Sequence, residues 1–174
     1  YKYIAETGNV DFLKEVLPFA NKDGATVYEH LKRAIDFSLN HLGKHGLPAG
    51  LYADWNDCLR LGADGESAFV ALQFYYALGI LKVFAAYEND TAYVDFLGEK
   101  EDEYRQKIND LLWDEDRFIR GYTEKGETVG NRDAVEASMW LNPQSWAVIS
   151  GLATDDQAEK ALKNVHEKLD TPYG

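Results

Sequence analysis

Two aspartates, a tryptophan and an asparagine stand together in the stretch "DWND" at residues 54–57. A carboxyl group can donate a proton to a leaving oxygen, and an indole can stack on the apolar C–H face of a sugar ring. A partly buried carboxyl beside Trp55 therefore predicts a sugar site with a general acid that protonates a glycosidic oxygen. Aspartates also cap turns, so a structural role for one of the two is the alternative.

Other chemistry at this loop is excluded by spacing. In a calcium loop counted from Asp54, the required glycine falls on Leu59 and an oxygen-bearing position falls on Cys58. The chain has no GxSxG, HExxH or CxxC pattern, and His41 and His45 flank a glycine that would interrupt a shared helical face. We therefore expect neither a serine nucleophile nor a bound metal.

Composition narrows the class of protein. The chain has 174 residues, of which 45% are hydrophobic, as in one globular module with a substantial core. A net charge of −12 without any basic run argues against nucleic acid or an anionic membrane as partner. One cysteine excludes an intrachain disulfide and, with no signal-peptide pattern, predicts a cytoplasmic protein. Both ends look cut from a longer polypeptide.

The first half of the chain predicts helices on either side of the loop. Thr26 and Glu29 match a capping box that starts a helix of apolar residues at helical spacing, with Gly43 as its terminator. Residues 68–87 are almost continuously apolar, but Gln73 and Lys82 lie within them. We expect a helix buried in protein there and not a membrane span.

The second half predicts further helices and one β-hairpin. Lys125 and Gly126 form a turn signal between short strand-like runs, which places a hairpin at residues 118–129. Asn142 before Pro143 predicts a helix start, and Thr154 begins the last helix.

Apolar helices therefore alternate with amphipathic ones, with Thr91 opening an outer, solvated helix. This pattern predicts an all-α fold, part of an α/α toroid of inner and outer helices, with the short hairpin as an excursion. A four-helix bundle is the alternative, but it does not need a loop as long as residues 46–65.

The stretch "HGLPAGLYADWNDCLRLGADGES", residues 45–67, resembles the catalytic-acid segment of glycoside hydrolase family 94, the cellobiose and chitobiose phosphorylases. The stretches "AETGNVDFLKEVLPF", "TVYEHLKRAIDF" and "LNPQSWAVISGLA" extend the similarity over nearly the whole chain. The resemblance implies that residues 1–174 are a single module, part of an (α/α)6 catalytic barrel. The family's N-terminal β-sandwich and the rest of the barrel are absent from it.

The resemblance also implies an activity, which is inverting phosphorolysis of a β-linked disaccharide. Asp57 would be the acid, Trp55 would line the subsite of the transferred sugar, and Cys58 would border the acceptor side. Inorganic phosphate is then the co-substrate, no cofactor is needed, and the full enzyme is a homodimer whose phosphate-binding residues lie outside this chain. The resemblance assigns no role to Asp54, which we expect to cap the loop.

Two alternatives remain from the residues alone. An inverting hydrolase on the same toroid would use a second carboxylate to activate water and would not need phosphate. A non-catalytic sugar-binding module would keep affinity for sugar after loss of Asp57.

Overall fold

The computed structural model describes residues 1–173, which fold mainly into helices. The α-helices are α1 (Lys2–Thr7), α2 (Val27–Asn40), α3 (Ala68–Tyr87), α4 (Thr91–Leu112), α5 (Leu141–Ile149) and α6 (Asp155–Leu169), with a 3-10 helix at Val10–Lys14. The strands are β1 (Val16–Phe19), β2 (Lys22–Thr26), β3 (Glu66–Ser67), β4 (Trp113–Asp114), β5 (Arg117–Phe118), β6 (Gly121–Tyr122) and β7 (Thr128–Val129).

Helix α3 forms the centre of the core and packs against α2, α4 and α5. Apolar side chains cover most of its circumference, and ten of its residues are buried. Its main partner, α4, buries one face through Leu97, Tyr104, Ile108 and Leu112 and leaves its charged face in solvent. Helices α5 and α6 repeat this pairing of an apolar with an amphipathic helix. The predicted alternation of apolar and amphipathic helices is therefore present in the described residues.

By length and composition alone, α3 could also cross a membrane. In the structure, 56% of its most hydrophobic stretch is buried inside the protein. Ser67 caps the helix by accepting a hydrogen bond from the Val70 N–H. In this structure α3 is a core helix.

The prediction of an all-α fold is wrong in one respect, because three small antiparallel sheets accompany the helices. Strands β1 and β2 pair as one hairpin, and β4 and β5 pair as another. The hairpin expected at residues 118–129 is confirmed: Tyr122 of β6 lies opposite Thr128 of β7, and Gly126 adopts a φ of 86° in the turn. Strand β3 adds a third strand to this hairpin.

Two helix boundaries differ from the expectation. Helix α2 starts at the Thr26 cap but ends at Asn40 and not at Gly43. A Cβ at Gly43 would lie 2.3 Å from Cγ of Glu66, so this glycine permits a close approach instead of ending the helix. Helix α5 begins at Leu141, which places Pro143 in the first turn, where its missing N–H costs no helical bond.

Candidate active site

The predicted site is a closed loop between α2 and α3. The Gly50 N–H donates to the Gly65 carbonyl at 2.8 Å, and the Leu51 N–H donates to the Ala63 carbonyl at 2.9 Å. These bonds bring the two ends of residues 50–65 together directly before β3. Because β3 belongs to the three-stranded sheet, the loop is attached to a fixed base.

Glu66 strengthens this base from inside the protein. Its side chain is 1% exposed, and Oε1 accepts hydrogen bonds from the N–H groups of His45 (3.0 Å) and Leu47 (2.9 Å). Oε2 pairs with Nδ1 of His45 at 2.5 Å. The carboxylate thus fastens residues 45–47 to β3, which is a structural role.

Asp54 is directed into the protein and holds the first turn of the loop. Its side chain is 5% exposed. Oδ1 accepts from the Asn56 N–H at 3.0 Å, and Oδ2 accepts from Oγ of Ser67 at 2.6 Å. The loop-capping role expected for Asp54 is therefore confirmed.

Arg120, on the segment between β5 and β6, is the third member of this buried cluster. Its side chain is 1% exposed, Nη2 donates to Asp54, and Nη1 donates to Oγ of Ser67 at 2.7 Å. The guanidinium also lies 5.5 Å from the ring centroid of Trp140. Sequence reasoning missed Arg120 because nothing local marks an arginine that pairs with a carboxylate 66 positions earlier.

The environment of Asp54 favours its charged form. Burial alone would raise the pKa of this carboxyl, but the hydrogen bonds from Asn56 and Ser67 and the positive charge of Arg120 act in the opposite direction. The result is a pKa below the ordinary value of an aspartate. Asp54 is therefore ionised at neutral pH and is not suited to donate a proton.

Alternate residues of the DWND stretch face opposite ways. Asn56 continues the turn begun by Asp54, since its Oδ1 accepts from the Cys58 N–H at 3.0 Å. Asp57 and Cys58 are exposed, and Trp55 is 73% exposed. The expectation that a carboxyl would be partly buried against Trp55 is thus wrong for the described residues, because the turn leaves both Trp55 and Asp57 exposed.

A cavity of about 350 Å³ lies between this loop and the turn of the β6–β7 hairpin, and Asp57 is on its wall. Trp55 and Cys58 are not among the residues that line it. The hairpin contributes the opposite wall through Thr123, Glu124, Lys125 and Glu127. Arg60 also lines the cavity, whereas Arg132 pairs with Glu115 on the surface.

The two walls are fastened to each other. The Glu124 N–H donates to the Leu61 carbonyl at 2.7 Å, and Oε2 of Glu124 accepts from the Ala63 N–H at 3.2 Å. Gly62, with a φ of 92°, leaves room for the Glu124 side chain. Because these contacts join loop and hairpin, the width of the cavity is set within residues 1–173.

A comparison with protein families gives a match over the whole sequence, including this loop. The chain belongs to the glycosyl hydrolase 94 superfamily, since the model of its catalytic domain matches residues 1–174.

Three of the curated relatives that the chain matches are named as disaccharide phosphorylases. The chain is 38% identical to an N,N'-diacetylchitobiose phosphorylase of Vibrio furnissii and 36% identical to a solabiose phosphorylase of Paenibacillus borealis. It is 34% identical to a cellobionic acid phosphorylase of Neurospora crassa. Each match covers 99% of this chain but only 22%, 23% and 22% of the relative, respectively. The chain thus spans less than a quarter of the length of these proteins.

Proposed function

We propose that the complete protein catalyses inverting phosphorolysis of a β-linked disaccharide to a sugar 1-phosphate and a free sugar. The observation that carries this proposal is the position of Asp57 on a cavity wall, on a loop fixed from behind by the Asp54 cluster. The phosphorylase names of the similar proteins support the choice of reaction.

In this reaction a phosphate oxygen forms the new bond to the anomeric carbon while the glycosidic C–O bond breaks. Asp57 gives its proton to the departing sugar oxygen and is reprotonated after the products leave. Phosphate is itself the nucleophile, so a second carboxylate that activates water is not required. Trp55 would stack on the transferred sugar, and Cys58 would border the acceptor sugar.

The partners and setting follow from the same proposal. The substrates are a disaccharide and inorganic phosphate, with no cofactor and no metal ion. Phosphate would be held by residues outside the described part of the chain, because Asp57, Glu124 and Glu127 on the cavity wall outnumber Arg60 and Lys125 there and disfavour an anion. The chain would form part of an (α/α)6 barrel in a cytoplasmic homodimer.

Phosphate dependence tests this proposal. The complete protein is incubated with N,N'-diacetylchitobiose, cellobiose or cellobionic acid, with and without phosphate, and sugar 1-phosphate and free sugars are measured. We expect sugar 1-phosphate only when phosphate is present. Equal release of two free sugars without phosphate would identify a hydrolase instead, and binding without turnover in either condition would identify a sugar-binding module.

A further inference from the structure

We propose that Arg120 is a positioning residue for proton transfer by Asp57, acting through Asp54. This inference rests on the proposed role of Asp57. Arg120 contacts Asp54, Asp54 accepts from the Asn56 N–H, and Asp57 follows Asn56 in the chain. The path from the guanidinium to the acid is therefore short and runs only through direct contacts and one peptide bond.

Arg120 is the rigid end of this path. Its N–H donates to the Val129 carbonyl at 2.8 Å, and its own carbonyl accepts from the Ala68 N–H at 3.0 Å. A Cβ at Gly130 would lie 2.9 Å from Cβ of Arg120, so the backbone packs tightly behind it. Because Arg120 is fixed between the hairpin and the start of α3, the loop is the part that moves when the contact is lost.

The contact is also one that the loop cannot replace. Asp54 and Arg120 are 5% and 1% exposed, so each charge has given up most of its water. Removing the guanidinium leaves a buried carboxylate without its cation, which is strongly unfavourable. The turn can relieve this cost by rotating Asp54 toward water, and that rotation displaces Asp57.

A small displacement matters because the acid must reach one oxygen as the bond to it breaks. A shift of about 1 Å in a reacting group can lower the rate about 10²-fold. Because only proton transfer is slowed, the loss of rate depends on the leaving group. A sugar alkoxide needs the proton, whereas a nitrophenolate leaves readily without it. A purely structural role would lower the turnover of both substrates alike.

Arg117 offers a matched control within the same segment. It too is buried, at 3% side-chain exposure, and it pairs with Asp116 at 2.7 Å and with the Ser138 carbonyl at 3.0 Å. None of these partners belongs to the loop. Arg117→Met and Arg120→Met therefore each remove a buried cation, but only the second removes a loop contact, and the carboxylate left behind is 40% exposed at Asp116 and 5% exposed at Asp54.

The experiment compares both variants with Asp57→Asn in the complete protein. Turnover with phosphate is measured on the disaccharide that the protein uses and on the β-nitrophenyl glycoside of its transferred sugar, together with the thermal unfolding midpoint. For Arg120→Met we expect about a 10²-fold loss of kcat on the disaccharide and a much smaller loss on the nitrophenyl glycoside. Arg120→Lys should recover part of the disaccharide activity, and Arg117→Met should show no dependence on the leaving group.

Equal losses of Arg120→Met on both substrates would overturn the inference, as would the same selectivity in Arg117→Met. If Arg120→Met does not fold, Arg120→Lys decides by the same ratio of the two activities. Asp57→Asn separates this inference from the proposed function. If Asp57→Asn loses more activity on the disaccharide than on the nitrophenyl glycoside and Arg120→Met does not, only the role of Arg120 is rejected. If Asp57→Asn keeps full activity on the disaccharide, Asp57 is not the acid and the proposed function of this residue is rejected.

Discussion

Asp54 and Asp57 carry the same side chain and meet opposite environments. Asp54 is 5% exposed and bonded to Asn56, Ser67 and Arg120, whereas Asp57 is exposed and its carboxyl makes no hydrogen bond within residues 1–173. Two nearby carboxyl groups can take different roles when their surroundings differ in this way. The bonded carboxylate holds the loop, and the free one is available to a substrate.

Exposure of Trp55 makes a prediction that separates binding from packing. Because its side chain is 73% exposed, Trp55→Ala should change the free energy of unfolding by less than about 0.5 kcal/mol. If the indole stacks on sugar, KM for the disaccharide should rise strongly, as measured by steady-state kinetics. The control is Trp146→Ala, which should lower the free energy of unfolding. Trp146 packs against the core, and its ring centroid lies 5.6 Å from that of Phe69 in an edge-on contact. A loss of about 3–5 kcal/mol from Trp55→Ala would instead mean that Trp55 is a packing residue.

The lowered pKa of Asp54 predicts acid sensitivity of the loop. A group with a lower pKa in the folded state stabilises that state above its unfolded pKa, and the effect is lost as the pH falls through the folded value. For Asp54 the loss begins near the ordinary value of 3.8 and continues below it. Amide hydrogen exchange in peptides covering residues 50–65, followed as a function of pH, measures this loss of loop stability.

At pH 7, Asp54→Asn should exchange faster in this loop than the natural protein. The two proteins should converge only as the pH falls through the lowered folded-state pKa of Asp54, because Asp54 is then also uncharged. A difference that stays constant down to that pH would show that the charge of Asp54 does not stabilise the loop.

Among the secondary-structure elements, helices α2 to α6 could be predicted, α1 and the 3-10 helix were not predicted, and the sheets were predicted only in part. The capping box of α6, with Thr154 and Gln157, and the apolar run of α3 are local patterns that the sequence displays directly. Strand β3 has two residues and pairs with β6 more than fifty positions later, so no periodicity reveals it. The same limit applies to the site: the DWND turn is local, but its contact with Arg120 depends on how distant segments pack.

The pairing of β3 with β6 gives a test at this scale. Gly121 has a φ of 148°, and a Cβ there would lie 2.1 Å from the Glu66 carbonyl oxygen. Gly121→Ala should therefore lower the free energy of unfolding by about 1–3 kcal/mol, measured by denaturant unfolding of the complete protein. At Gly98, within α4, an added Cβ would meet no neighbouring atom within 4 Å. Gly98→Ala should therefore raise the free energy of unfolding by about 0.5–1 kcal/mol. Equal effects of both substitutions would show that β3 and β6 are not closely paired.

The whole molecule presents only one part of what phosphorolysis needs. It carries a net charge of −12, and on the cavity wall Asp57, Glu124 and Glu127 outnumber Arg60 and Lys125. Acid assistance is one contribution to the rate, and holding phosphate and sugar together in line can contribute about 7–11 kcal/mol more. A cavity wall with an excess of carboxylates does not hold a phosphate anion in line with the sugar.

We therefore predict that the 174-residue chain alone has no phosphorolytic activity. The purified chain is incubated with cellobiose or N,N'-diacetylchitobiose and phosphate, and sugar 1-phosphate is measured over hours, with the complete protein as positive control. Sustained product that disappears in Asp57→Asn would show that residues 1–174 contain a phosphate site after all.

The role of Asp57 as proton donor is tested most directly by kcat of Asp57→Asn in the complete protein, beside Asp54→Asn. The account predicts that Asp57→Asn lowers kcat for the disaccharide by more than about 10⁴-fold, because a sugar leaving group must be protonated and the amide has no acidic proton. Asp54→Asn should lower it less, since Asp54 acts through the position of the loop. A large loss in Asp54→Asn together with nearly full turnover in Asp57→Asn would contradict the account and assign the proton to the buried carboxyl.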